Sequence, residues 1–191
     1  MPLLNSTMLA LGTVAPDFRL QDAGGRGWVA RDDFRGRSAL LVLFICNHCP
    51  YVKHVRAQLA AIGDEYQARG VGVVGISSND AQTYPQDGPA AMAAEALAAG
   101  YKFPYLHDDS QAVAKAYRAA CTPDIYLFDR EFRLVYRGQI DETRPKSGLT
   151  AHGRDLRAAL DAVLAGSPVP EPQVPSIGCG IKWKVGNEPE Y

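Results

Sequence analysis

Leu40-Leu41-Val42-Leu43-Phe44-Ile45-Cys46-Asn47-His48-Cys49-Pro50 is the stretch whose reading decides the fold. Leu40 to Ile45 form an unbroken apolar run, which reads as a strand buried on both faces. Beyond the paired cysteines, Val52, Val55, Leu59, Ile62 and Tyr66 recur at spacings of three and four, marking one face of a helix from about Cys49 to Arg69. A CxxC between strand and helix puts a thiol at the open N-terminal end of the helix. Unpaired N–H groups and the macrodipole favour a thiolate there. Val71 to Ile76 is a second buried strand, so strand–helix–strand closes a right-handed parallel unit.

Outward from this unit, the segment Gly12 to Phe18 opens the ordered part, and a hairpin is expected to turn at Gly24-Gly25. Ser77 to Pro89, rich in Asn, Asp, Pro and Gly, reads as a loop. An Ala-rich helix is expected over 90–99, a short strand at Tyr105-Leu106, and another helix from about Ser110 to Tyr117. Ile125–Phe128 and Phe132–Tyr136 are strand-like runs joined by Asp129-Arg130-Glu131, a connection short enough for an antiparallel hairpin. Leu156, Leu160, Val163 and Leu164 mark a last amphipathic helix. The order βαβ, then ββα, predicts an α/β fold with a mixed central sheet flanked by helices. The domain is expected over 1–165. In 166–191, Pro168, Pro170, Pro172 and Pro175 impose an extended stretch. It leads into Ile177-Gly178-Cys179-Gly180-Ile181-Lys182-Trp183-Lys184, apolar enough to dock on the domain.

The chain has 191 residues and a formal net charge of −1, which gives no electrostatic case for nucleic acid or an anionic membrane as partner. The first residues lack a basic region followed by a long apolar run, so a cytoplasmic protein is expected. Its 4 cysteines do not make a disulfide framework, and a close pair in a reducing compartment points to redox or metal chemistry. Zinc needs four ligands, usually with a second pair at comparable spacing, and Cys121 and Cys179 are isolated, so no metal is expected. Cys121, Cys179, His48 or His54 would be the residues available to complete such a site.

In the redox reading Cys46 is the nucleophile, at or near the N-cap and more exposed than Cys49. Cys49, one turn further in, resolves the mixed disulfide. An imidazole between them, His48, would stabilise the Cys46 thiolate and raise the potential of the pair. Cys121, near Pro123, is either a third redox thiol or a buried inert one.

Gly12-x-x-Ala15-Pro16-Asp17-Phe18, the strand–CxxC-Pro–helix, and Thr122-Pro123-Asp124 before a strand occur in that order. Together they resemble the thioredoxin superfamily, in the branch of stand-alone bacterial redoxin-domain proteins related to peroxiredoxins and cytochrome-maturation thioredoxins. The resemblance spans roughly residues 12–165. It implies a thioredoxin-like fold with an N-terminal extension and a C-terminal tail. It also implies a cis Pro123 lying against the two cysteines, with Thr122 offering backbone groups to an extended substrate. The implied activity is thiol–disulfide exchange on a protein disulfide with a separate redox partner and no dissociable cofactor. Ile45 stands where many relatives have Trp, and Leu40 where thioredoxin has a buried Asp. A peroxiredoxin-like thiol peroxidase is the alternative, yet the family's Pro-x-x-x-Thr-x-x-Cys pattern fails here. Counting back from Cys46, Leu43 and Ala39 occupy the Thr and Pro positions. A metal-binding module using the same cysteines is the other alternative.

Overall fold

The computed structural model describes residues 3–191. In chain order these form β1 (Leu3–Asn5), β2 (Arg19–Asp22), β3 (Trp28–Ala30), β4 (Ala39–Phe44), α1 (Pro50–Ala68), β5 (Val71–Ser77), α2 (Pro89–Ala99), β6 (Tyr105–His107), α3 (Ala112–Ala116), β7 (Cys121–Thr122), β8 (Asp124–Asp129), β9 (Leu134–Arg137), α4 (Arg154–Leu164) and β10 (Ile177–Gly180). The main sheet has the order β3-β2-β6-β5-β4-β8-β9. Its centre, β6-β5-β4, is parallel, while β2, β3, β8 and β9 join antiparallel. The α/β class with a mixed sheet, expected from the sequence, is what the chain adopts.

The apolar run at the centre explains why. Every residue of β4 is buried, and alternate side chains serve two different cores. Ala39, Leu41, Leu43 and Ile45 pack with Val55, Leu59, Ile62 and Tyr66 of α1 and with Leu156 and Leu160 of α4. Leu40, Val42 and Phe44 face Phe18, Tyr117 and Tyr126 on the other side. β8 divides in the same way, with Ile125 and Leu127 toward the first core and Tyr126 and Phe128 toward the second. A strand buried on both sides holds its C-terminal end rigidly, and Cys46 lies just beyond the end of β4.

Three local differences have physical reasons. Phe132 takes a left-handed φ of 59° in the β8–β9 turn, so the second hairpin strand begins at Leu134. The Asp129 carboxylate shapes that turn by accepting the backbone N–H groups of Glu131 and Arg133. The loop after β5 holds a single 3-10 turn, Pro85–Asp87, which becomes important at the site. Finally, β10 pairs with β1 on one edge and β7 on the other, forming a small antiparallel sheet of its own. Among the described residues no helix is long and apolar enough to cross a membrane.

Candidate active site

Pro50 occupies the first position of α1, where its missing N–H and fixed φ suit a helix start. That choice makes Cys49 the N-cap residue. The expectation that Cys46 lies at or near the N-cap, with Cys49 about one turn inside the helix, is therefore corrected. Cys46 lies on the turn that leads into the helix, and both residues are buried, at 2% and 0% exposure.

Thr122 touches both cysteines. Its hydroxyl is 3.4 Å from Cys46 Sγ, and its carbonyl accepts from Cys49 Sγ at 3.1 Å. The Thr122–Pro123 peptide is cis. All 4 cysteines are free thiols here. The hydrogen bond between Cys46 and Cys49 couples their protons. It is the largest influence drawing Cys49 down to about 4, helped by Cys179, Thr122 and the Val52 N–H. The same bond, then burial and the charge of Asp87, pushes Cys46 well above the usual thiol range. The carbonyl contact of Cys49 suits a protonated sulfur, so we assign the charge to the pair rather than to one atom. Its first ionisation is easy and its second is hard.

Asp87, from the 3-10 turn, organises the loop between the cysteines. It is fully buried. One carboxylate oxygen accepts the backbone N–H groups of Asn47 at 2.8 Å and His48 at 3.3 Å. The other lies 2.5 Å from His48 Nδ1 and accepts from Asn79 Nδ2 at 2.8 Å. A carboxylate only accepts, so Nδ1 carries the proton. The imidazole stacks on Tyr84 at 5.6 Å, and its Nε2 is buried without a hydrogen-bond partner. Tyr105 completes the turn by donating to Asn47 Oδ1 at 3.0 Å. His48, expected to lower the Cys46 pKa by its charge, is thus tied to a carboxylate whose negative charge works the other way.

Asp87, Asn79 and Tyr105 escaped the sequence reading because all three come from distant segments. The one usable signal was Asp87 three residues after Tyr84, in a loop that reads as solvated. The same applies to metal binding. Ligand atoms of Cys46, His48 and Asp87 lie within 4.8 Å of one another. Both Asp87 oxygens, however, are already engaged by the four N–H donors of Asn47, His48 and Asn79, so a cation would have to displace bonds that hold the turn. Cys121 is buried with its thiol 3.7 Å from the Pro123 carbonyl. Cys179, in contrast, is part of the same buried cluster as Cys46 and Cys49. His54 bonds Thr143 at 2.8 Å, away from the thiols' hydrogen bonds.

A CxxC at the start of α1, facing a Thr–cis-Pro pair on a neighbouring strand, defines a thioredoxin-superfamily redoxin domain. The chain belongs to the AhpC/TSA family, whose model matches residues 11–137. It is similar to an uncharacterized conserved protein from Geobacillus kaustophilus, with 52% identity, a TM-score of 0.94 and coverage of 96% of this chain and 97% of that one. A hypothetical protein from Sinorhizobium meliloti 1021 is 53% identical, with a TM-score of 0.93 and coverage of 95% and 99%. The thioredoxin domain of a thiol-disulfide oxidoreductase from Bacteroides vulgatus shares the fold at 23% identity, with a TM-score of 0.57 and coverage of 71% and 90%. No curated protein matches. Family and fold together support thiol redox activity, as an oxidoreductase or a peroxidase.

Proposed function

We propose that the protein is a thiol–disulfide oxidoreductase acting on protein disulfides through Cys46 and Cys49. The observation that carries this reading is the shared contact of both sulfurs with Thr122, at 3.4 and 3.1 Å. It holds two thiols side by side, with a low first ionisation, against a backbone edge. In the forward direction the Cys46 thiolate attacks one sulfur of a substrate disulfide, and the departing thiolate takes a proton. Cys49 then attacks Cys46 Sγ, releases the second substrate thiol, and leaves Cys46–Cys49 oxidised. A separate dithiol partner returns the pair to the reduced state. His48, with Nδ1 fixed by Asp87, presents Nε2 as the group that accepts or returns the exchanging proton. Thr122 and Pro123 shape the edge beside the cysteines, which an extended substrate would meet once β10 leaves it. The lack of a Thr and a Pro ahead of Cys46 in the peroxidase pattern favours exchange over peroxide reduction.

The test is trapping. With a peptide disulfide as substrate, C49S should accumulate a stable mixed disulfide on Cys46, while C46S should not. Peroxide-dependent sulfenic acid on Cys46, forming faster than disulfide exchange, would instead select the peroxidase.

A further inference from the structure

The strand β10 occupies the edge that an extended substrate would use. Cys179 stands directly opposite Thr122, and Gly180 opposite Cys121, in antiparallel register. The Ile181 N–H donates to the Ala120 carbonyl at 3.1 Å, extending the pairing. Directly opposed residues of antiparallel strands carry their side chains on the same face. For Thr122 that face holds the cysteine pair, since its hydroxyl reaches Cys46 at 3.4 Å. The Cys179 side chain is therefore delivered beside Cys46 and Cys49, and all three belong to one buried cluster. The neighbouring Cys179 thiol helps draw Cys49 down, while burial, then Cys49 itself, pushes Cys179 up to about 12, so Cys179 is held as the protonated partner of the pair. Cys121, next to Thr122 along β7, points to the opposite side.

Two further features seat the tail. A Cβ on Gly178 would fall 1.9 Å from the Thr122 carbonyl oxygen, so only glycine permits this approach. Lys182 N–H donates to Asn79 Oδ1 at 2.8 Å, while Asn79 Nδ2 donates to Asp87. The tail is thereby linked through Asn79 and Asp87 to the turn that carries Asn47 and His48.

We propose that Cys179 is a third redox thiol of this site, which exchanges with the Cys46–Cys49 disulfide to form Cys49–Cys179. The Cys179 thiolate attacks Cys49 Sγ, one S–S bond forms as the Cys46–Cys49 bond breaks, and Cys46 leaves as a thiolate. The proton given up by Cys179 ends on Cys46. The oxidation state of the protein does not change, so no outside oxidant or reductant is consumed. The step rests on the proposed Cys46–Cys49 chemistry. Its product keeps one disulfide in the chain, frees Cys46, and fastens β10 to the start of α1.

Disulfide mapping of the full chain tests this. The protein is equilibrated across graded oxidised and reduced dithiothreitol, quenched in acid, alkylated and digested. The wild type should yield both Cys46–Cys49 and a crosslink from the Cys46–Cys49 peptide to the Cys179 peptide. C46S should form the Cys49–Cys179 crosslink by itself, and C179S should lose the crosslink entirely while keeping Cys46–Cys49. If the wild type forms Cys46–Cys49 but neither it nor C46S links Cys179, the third-thiol role is wrong and the oxidoreductase reading stands. A crosslink to Cys121 in place of Cys179 would overturn it equally. If Cys46–Cys49 does not form, both readings fail.

Discussion

Replacing Gly178 with Ala should unseat β10 and open the thiol cluster. The added Cβ would lie 1.9 Å from the Thr122 oxygen, 2.6 Å from its carbonyl carbon and 3.2 Å from Pro123 N, all backbone atoms that cannot swing aside. Reaching ordinary contact means a retreat of about 1.5 Å, which no N–H···O bond survives. The casualties are the pairing of Cys179 with Thr122 and Gly180 with Cys121, and the bond from Ile181 to Ala120. At about 1 kcal/mol net for each backbone bond, the tail loses roughly 2–3 kcal/mol of its hold. Local opening then becomes about 25- to 150-fold more frequent, since about 1.4 kcal/mol is a factor of ten. The assay is native-state alkylation of the reduced protein with N-ethylmaleimide, read by mass at each cysteine, beside a urea melt. Cys46 and Cys179 should react faster by that factor, and the melting midpoint should fall while far-ultraviolet circular dichroism holds. Wild-type alkylation rates and an unchanged midpoint would show that β10 does not rest on Thr122.

Other consequences arise from buried charges. Asp87→Ala should destabilise the fold by about 3–5 kcal/mol in a urea titration, because it strands His48, Asn79 and two backbone N–H groups in the interior. Asp87→Asn removes the negative charge that raises Cys46, so the pH profile of Cys46 alkylation should move to lower pH; an unmoved profile would deny that electrostatic role. Burial raises the Asp124 carboxyl from 3.8 to about 6. The folded chain then keeps this proton while the unfolded chain loses it between about pH 4 and 6. The contribution to stability therefore declines as pH rises through that window, by about 3 kcal/mol, and is level above it. Asp124→Asn should abolish that part of the slope, measured as the wild-type-minus-variant difference at pH 4 and pH 7.5. Cys121, whose thiol burial pushes far up, should resist alkylation in the native state, and Cys121→Ser should leave the disulfide titration unchanged.

The sequence is legible where its signals are local and periodic. The two-faced burial of β4 and β5, the helix face from Val52 to Tyr66 and the β8–β9 hairpin can all be read from spacing. The cysteine pair can be read from its position between strand and helix. Long-range partnerships left no such trace. Asp87 sits in a stretch whose Asn, Asp, Pro and Gly content signals a solvated loop, yet it is fully buried because it alone satisfies the N–H groups of the Cys46–Cys49 turn. β7 is only 2 residues long and β10 only 4, too short for any periodicity to show. Gly178 and Gly180 beside Cys179 signal a close approach to another segment, but the segment met, the Thr122 carbonyl 56 positions earlier than Gly178, leaves no local trace. The cysteines sit one turn earlier relative to the helix than expected because Pro50 sets the start of α1 after Cys49.

The central claim is that Cys46 and Cys49 are a reversible dithiol couple. Thiol counting by mass across graded dithiothreitol buffers tests it most directly. The account predicts the loss of two thiols per chain in one reversible two-electron step, with Cys46–Cys49 recovered among the linked peptides. A chain that keeps both thiols free at every poise, or loses Cys46 only to sulfenic acid under peroxide, would contradict it.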